Sequence, residues 1–105
     1  MSDKITKGSG NVFKDLGFDN PQEYQTKANL ALEIIKIINQ RDLTQKEAAI
    51  LIHATQPDIS KLNKGHLDGF TIDRLCSFLR HLNRNIEIRV TKSRSKMGKM
   101  EIVAA

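Results

Sequence analysis

The 105 residues, of which 39% are hydrophobic and 28% charged, are enough for one domain with a single modest core and exclude a disordered chain. A single cysteine excludes an internal disulfide, and no apolar run is long enough for a membrane span or a signal peptide, so we expect a cytoplasmic protein with no membrane contact. The net charge of +5 suits a polyanionic partner. Residues 1–43 carry no net charge, residues 44–91 carry +2 and residues 92–105 carry +3. Most of the excess positive charge therefore lies in the C-terminal tail.

The N-terminal part combines a featureless leader with a short apolar segment. Residues 1–10 have no hydrophobic periodicity and close on Gly-Ser-Gly, which predicts a flexible N-terminal leader. Residues 11–17 place Val12, Phe13 and Leu16 on one side of a short helix that ends on a glycine. This helix either covers one end of a helical bundle, which is the favoured alternative, or offers a surface to a protein partner.

The longest predicted helix begins with a cap at Asn20, has Pro21 and Glu23 in its first turn, and runs to about Gln40. Its apolar residues cover more than one stripe: Ala28, Ala31, Leu32, Ile34, Ile35 and Ile38. We therefore expect this helix to be buried on two sides, within a bundle or a dimer.

Residues 43–65 predict two capped helices joined by a tight turn. Thr44 and Glu47 have the spacing of a capping box, in which two backbone N–H groups at a helix start are satisfied reciprocally. Two adjacent alanines follow, and they let another helix approach closely, as helices that cross at a steep angle require. The turn then falls near His53 and Ala54.

The second of these helices carries the residues that suggest a partner. Thr55 caps it, Pro57 fits its first turn and Gly65 ends it, while Ile59 and Leu62 face inward. Its outer surface holds hydrogen-bonding groups and cations: Gln56, Asp58, Ser60, Lys61, Asn63 and Lys64. Such groups suit base edges and phosphates, which favours DNA binding over an ordinary pair of amphipathic helices.

The next predicted helix follows a loop in which Phe70 fills the core, and Thr71 caps it. Its apolar residues recur at intervals of three and four: Ile72, Leu75, Cys76, Leu79 and Leu82. This face belongs to the core, where a cysteine is a small apolar residue far more often than a nucleophile.

An alternating segment and a basic tail close the chain. Ile86, Ile88 and Val90 alternate with charged residues, which predicts a β-strand. A lone strand needs a partner, so it pairs either with residues 100–103 or, as we favour, with the same strand of a second copy. The tail carries four cations, Lys92, Arg94, Lys96 and Lys99. The tail is either solvated or, less favoured, an arm that contacts DNA.

The histidines and the cysteine do not predict a metal site. His53, His66, Cys76 and His81 lack any paired spacing of the C-x-x-C or H-x-x-x-H kind. No Ser, His and acid combination suggests a catalytic triad, and no glycine-rich loop suits a phosphate cofactor. We therefore expect no enzyme, no metal and no cofactor.

Five sequence blocks within about residues 8–91 carry a family resemblance: GSGNVFKDLGF, TQKEAA, QPDISKLNKG, GFTIDRL and HLNRNIEIRV. On these blocks the chain resembles the XRE (Cro/repressor-like) class of helix-turn-helix regulators, and within it the HigA-type antitoxins. The middle blocks are specific for the fold, and the flanking blocks point to the antitoxin branch. The family usually has glycine where this chain has His53 and Asn83, and asparagine adopts the left-handed backbone conformation more readily than histidine.

The resemblance implies a mainly α fold, a five-helix lambda-repressor-like bundle with a C-terminal β-strand. It also implies three parts: the leader at residues 1–10, the DNA-binding domain with its strand at 11–91, and the basic tail at 92–105. The chain is then expected to be a transcriptional regulator, an autorepressor that binds a palindromic operator as a homodimer.

The residues expected at the DNA are Thr44, Gln45, Thr55, Gln56, Pro57, Asp58, Ser60, Lys61, Asn63 and Lys64. Gln56 is the best candidate for reading an adenine, while Gln45 is expected to reach a phosphate and to buttress Gln56. The resemblance also implies the antitoxin role in a toxin–antitoxin pair. The alternative is a chain that mainly binds and inhibits a HigB/RelE-type ribonuclease toxin, with DNA binding secondary.

Overall fold

Four helices account for the regular structure of residues 21–104, the part of the chain that the computed structural model describes. They are α1 (Pro21–Gln40), α2 (Gln45–Ile52), α3 (Gln56–Lys64) and α4 (Ile72–His81). Both α1 and α2 pack against α3 and α4. None of these four helices combines the length and the apolar character needed to cross a membrane. The predicted helix over residues 11–17 and the predicted leader lie outside the described residues.

The core is built from apolar side chains of all four helices and of the loop between α3 and α4. Ile34 of α1 and Leu75 of α4 are completely buried, and Leu67 and Phe70 of the loop are nearly so. Leu32, which the sequence pattern assigned to the inner side of α1, is instead 62% exposed. Within one chain, α1 therefore buries one broad face.

Three helices begin at the threonines that the sequence predicted as their caps. The Thr44 hydroxyl accepts a hydrogen bond from the Glu47 N–H at 3.0 Å, and the Thr44 N–H donates to Glu47 Oε1 at 2.8 Å. The Thr71 hydroxyl accepts from the Arg74 N–H at 3.0 Å. Thr55 begins α3 in the same way as Thr44 begins α2. The predicted starts of α2, α3 and α4 are confirmed.

Four connections after helices use the left-handed backbone conformation. Asp42, His53, Gly65 and Asn83 have φ angles of 53°, 61°, 75° and 64°. His53 and Asn83 therefore adopt the conformation for which the resembled family usually has glycine. The predicted turn at His53 is confirmed, even though histidine adopts this conformation less readily than glycine or asparagine.

The C-terminal segment is where the prediction of fold was wrong. Residues 21–104 form four helices and no β-strand, which contradicts the predicted five-helix bundle with a C-terminal strand. Ile86, Ile88 and Val90, the residues of the predicted dimer strand, are 37%, 87% and 92% exposed. Alternation gives a segment one apolar face, but a strand also needs a neighbour for its backbone hydrogen bonds. No such neighbour is present within the described residues.

The segment at residues 100–103, the other candidate partner, lies against α1. The Thr26 hydroxyl donates to the Gln22 carbonyl at 3.1 Å and lies 3.4 Å from the Met100 carbonyl oxygen. Thr26 is buried, and Ile102 packs against the core. This segment therefore contributes one side chain to the core instead of a strand to a hairpin.

Candidate nucleic-acid interface

The unit formed by α2, the turn at residues 53–54 and α3 leaves one side of α3 on the surface. Ile59 and Leu62 are 1% and 2% exposed and pack in the core, as predicted. Ala48 and Ala49 of α2 are also buried, and side chains this small allow close packing between helices. The opposite side of α3 is open to solvent.

The residues predicted to contact DNA lie at the starts of α2 and α3 and along α3. Exposed among them are Thr44, Gln45, Thr55, Gln56, Pro57, Lys61, Asn63 and Lys64, while Asp58 and Ser60 are half-buried. Gln45 and Gln56 are the first residues of their helices, where free backbone N–H groups and the helix dipole favour a phosphate. No hydrogen bond joins these two glutamines in the described structure, so the predicted buttress stays a prediction.

The charge of α3 is modest and unevenly distributed. Lys61 and Lys64 lie in its last turn, and Asp58 lies in its first. A helix with so little excess charge gains limited affinity from counterion release alone. We therefore expect shape and hydrogen bonding at the first turn to contribute much of its selectivity.

The Asp58 carboxylate is turned toward the protein. Its Oδ2 accepts from the Thr55 N–H at 3.1 Å, and the Asp58 N–H donates to the Thr55 hydroxyl at 3.1 Å, which closes a capping box. Arg74 Nη2 donates to the same Asp58 oxygen at 3.0 Å, and the Asp58 side chain is 15% exposed. The carboxylate thus stabilises the start of α3, while a contact between Asp58 and a base stays a prediction.

These contacts set the charge state of Asp58. Burial acts to raise the pKa of the carboxyl, but the hydrogen bonds of Thr55 and the charge of Arg74 outweigh it and hold the pKa below its ordinary value of 3.8. Asp58 is therefore ionised at neutral pH, and the start of α3 is joined to α4 by an ion pair.

The lowered pKa predicts a specific acid sensitivity. Because the unfolded chain takes up the proton at the higher pKa, the stabilisation from Asp58 is complete above 3.8 and is lost as the pH falls through the lower pKa of the folded state. Urea unfolding of the wild type and Asp58→Asn should therefore give a difference in unfolding free energy that shrinks below about pH 4. A difference that is independent of pH would contradict this assignment.

Arg74 was not singled out by the sequence analysis, yet it lies over two aromatic rings. Its Cζ is 5.1 Å from the ring centroid of Phe70 and 5.1 Å from that of Phe78. These two rings meet edge to face with centroids 6.0 Å apart. A guanidinium is attracted to ring faces at such distances. Arg74 lies four residues from each of these two phenylalanines in the sequence, and this spacing could have predicted the ring contacts. The sequence gives no local signal for the pairing of Arg74 with Asp58.

The far end of α3 is fixed by α1. The Tyr24 hydroxyl donates to the Gly65 carbonyl oxygen at 3.0 Å. Gly65 has a φ of 75°, and a β-carbon there would lie 3.4 Å from the Tyr24 hydroxyl. A side chain at this position would thus be strained by its backbone conformation, while its β-carbon would make an ordinary contact with the Tyr24 hydroxyl. α3 is therefore held at its start by α4 and at its end by α1.

The histidines and Cys76 are the remaining candidates for metal binding or nucleophilic chemistry. The rings of His53 and His81 lie 4.4 Å apart between centroids, and His81 Nδ1 is 2.9 Å from the Ser77 carbonyl oxygen. Within residues 21–104, no group of three or more His, Cys, Asp or Glu side chains is arranged to hold a metal ion. Burial and the Asp73 charge raise the pKa of the Cys76 thiol, which makes it a weak nucleophile at neutral pH.

Comparison with known proteins agrees with this geometry. A family described as "Helix-turn-helix domain" matches residues 12–91. A solved structure assigned to the XRE family of transcriptional regulators is similar at 30% identity, with a TM-score of 0.70. That match covers 81% of this chain and 96% of the other. No curated protein matches the chain.

Proposed function

The chain belongs to the XRE family of helix-turn-helix, DNA-binding transcriptional regulators. We propose that it is an autorepressor that binds a palindromic operator as a homodimer. The observation that carries the proposal is α3, a helix fixed at both ends with its polar side open to solvent. In this proposal α3 enters the major groove, which is wide enough for a helix and distinguishes all four base pairs.

The roles proposed along α3 follow from the chemistry of each side chain. Gln56 presents an amide at the first position of α3, and an amide matches the N6 and N7 atoms of adenine. Lys61 and Lys64 are exposed cations one turn and more away, and they contact phosphates. Gln45, at the start of α2, contacts a phosphate through its side chain and the helix dipole.

Two copies are proposed because one helix reads only a few base pairs. A dimer doubles the contacts and reads two half-sites about one helical turn apart, so the operator has the two-fold symmetry of the protein. Outside α3, exposed apolar side chains such as Leu32 (62%) and Ile50 (70%) are available to contacts between copies.

The test is a fluorescence-anisotropy titration of the full chain against its own upstream intergenic DNA and a scrambled duplex, at two salt concentrations. We expect tighter binding to the upstream DNA at both. Equal, salt-sensitive binding to the two duplexes, or no binding, would contradict an operator-reading repressor.

Lys64→Ala should weaken binding to all sequences alike, because a phosphate contact carries no base information. The slope of log affinity against log salt should become shallower by about 1. Lys36→Ala is the matched control, since Lys36 is an exposed lysine of α1 on the side away from the core. A sequence-dependent loss in Lys64→Ala, or an equal loss in Lys36→Ala, would contradict a phosphate contact at Lys64.

A second function is supported by apolar side chains that DNA binding does not require. Ile88, Val90, Met97 and Val103 of the C-terminal segment are each between 82% and 92% exposed. Exposed apolar groups in one segment are typical of protein-binding surfaces. Together with the resemblance of the sequence blocks on either side of the helix-turn-helix to HigA-type antitoxins, these side chains support an antitoxin that binds a HigB/RelE-type ribonuclease toxin. The alternative function is one in which toxin inhibition is the main role and DNA binding is secondary.

Co-expression tests this second function. The chain should restore growth of cells that express a RelE-type protein encoded beside it, and the two should co-purify. Ile88→Asp combined with Val90→Asp should abolish both effects, since charges in an apolar interface are costly to bury. Undiminished toxicity with the wild-type chain would rule out inhibition of that toxin.

A further inference from the structure

An ion pair between Asp58 and Arg74 joins the start of α3 to α4. Asp58 lies two residues after Gln56, in the first turn of the helix that is proposed to face DNA. An unpaired carboxylate there would repel phosphates and lower the affinity for any DNA. Arg74 places an opposite charge 3.0 Å from Asp58 Oδ2.

The Arg74 guanidinium is itself held by the core. Phe70 and Phe78, over whose rings it lies, are 2% and 3% exposed and belong to the buried cluster. The Thr55 capping box is local to α3 and fixes only the first turn relative to its own helix. The bond from Arg74 ties that first turn to α4, which is a separate element.

We propose that Arg74 is a positioning residue for sequence reading, which fixes the first turn of α3 relative to the core and neutralises the Asp58 carboxylate behind the DNA-facing surface. This inference rests on the proposed reading of DNA by α3. Gln56 can discriminate a base only if its backbone is held within a fraction of an ångström, because a bidentate amide contact has narrow geometry. Arg74 thus acts through Asp58 on selectivity, without touching a base.

The first variant is Arg74→Met, which removes the charge and keeps an unbranched side chain beside the two rings. We expect its selectivity, the ratio of the dissociation constant for scrambled DNA to that for upstream DNA, to fall by roughly tenfold, or about 1.4 kcal/mol. Arg80→Met is the control, because it makes the same charge change on the exposed side of the same helix. It should keep the wild-type selectivity within about twofold, a change below 0.5 kcal/mol.

A second measurement separates this role from a purely structural one. Asp58→Asn keeps an oxygen that can accept from the Thr55 N–H, so the cap survives while the charge disappears. In the Arg74→Met background, Asp58→Asn should strengthen DNA binding, because it removes an uncompensated negative charge. In the wild-type background the same change should lower selectivity, because it removes the ion pair that holds the first turn of α3 to α4.

The outcomes are distinct. A lower unfolding temperature for Arg74→Met with unchanged selectivity, or an equal effect of Arg80→Met, would overturn the proposal. Unchanged selectivity of Asp58→Asn in the wild-type background, or weaker DNA binding of Asp58→Asn in the Arg74→Met background, would overturn it as well. If Arg74→Met is unfolded at the assay temperature, Arg74→Gln is measured in its place against the same criteria. If the wild type itself bound upstream and scrambled DNA equally, the proposed function would be wrong, and the role of Arg74 in selectivity would be wrong with it.

Discussion

Gln56→Ala should relax the sequence requirement of the operator at one base pair, with a loss of about 1–3 kcal/mol in discrimination at that position. The side chain that is removed is exposed at the first position of α3, so its loss leaves the core and the Thr55 capping box unchanged. Binding to scrambled DNA should change little, because an amide contributes no charge to the phosphate contacts.

The measurement is a titration of wild type and Gln56→Ala against a set of operators, each with one base pair replaced. The wild type should discriminate strongly at one position where the variant does not. At that position, replacing adenine by 7-deazaadenine should weaken the wild type and leave the variant unaffected, since the analogue lacks the N7 acceptor in the major groove.

Gln45→Ala provides the comparison, because Gln45 has the same side chain at the equivalent place in α2. As a proposed phosphate contact, it should weaken binding to every operator by a similar factor. If Gln56→Ala also lowered all affinities uniformly, base reading by Gln56 would be wrong.

Ile34→Ala should lower the free energy of unfolding by about 2–5 kcal/mol, the range for truncating a fully buried aliphatic side chain. Ile34 is completely buried in the middle of α1, against which α3 and α4 pack. A loss of this size is a large share of the about 5–15 kcal/mol that stabilises a typical domain, so the variant should also show reduced DNA binding at elevated temperature.

Leu32→Ala is a matched control, because Leu32 belongs to the same helix and is 62% exposed. Its truncation should change the stability of the monomer by no more than about 0.5 kcal/mol. The measurement is urea unfolding followed by circular dichroism, at a protein concentration low enough for the monomer to predominate, because Leu32 is also a proposed contact between copies. Similar losses in the two variants would mean that the two sides of α1 are not buried as the structure places them.

Much of the fold was predictable because its signals are local. The capping box of Thr44 with Glu47 and the glycine at residue 65 act within one helical turn, so a short sequence pattern fixes where α2 begins and α3 ends. Ile59 and Leu62 were predictable as core residues for the same reason, because helical periodicity alone places them on one face.

The errors concern features that depend on distant partners. The alternation of Ile86, Ile88 and Val90 describes a potential strand face, but strand formation depends on a neighbour elsewhere in space. Apolar character also does not determine which side of α1 the other helices of one chain cover, so Leu32 is exposed in the single chain, and its burial in a dimer stays a prediction.

The sequence predicted which side of α3 lies on the surface, but it did not predict the contacts that hold this helix in place. Asp58 was predicted as a residue of the outer surface of α3, but its bond to Arg74 joins positions 16 residues apart, and the sequence carries no periodic signal for such a pair. The contact of Tyr24 with Gly65 joins residues 41 positions apart and was missed for the same reason. Both contacts fix the position of α3 relative to α4 and α1, and this position cannot be derived from the identities of the α3 residues alone.

The central claim, that α3 lies in the major groove of an operator with two half-sites, is tested most directly by dimethyl sulfate footprinting of the upstream DNA. This reagent methylates guanine N7 in the major groove and adenine N3 in the minor groove. We predict protection of guanine N7 in two clusters whose centres lie about 10 base pairs apart or a multiple of that, with adenine N3 in the same clusters still reactive. Protection confined to adenine N3, or scattered without two clusters, would contradict the account.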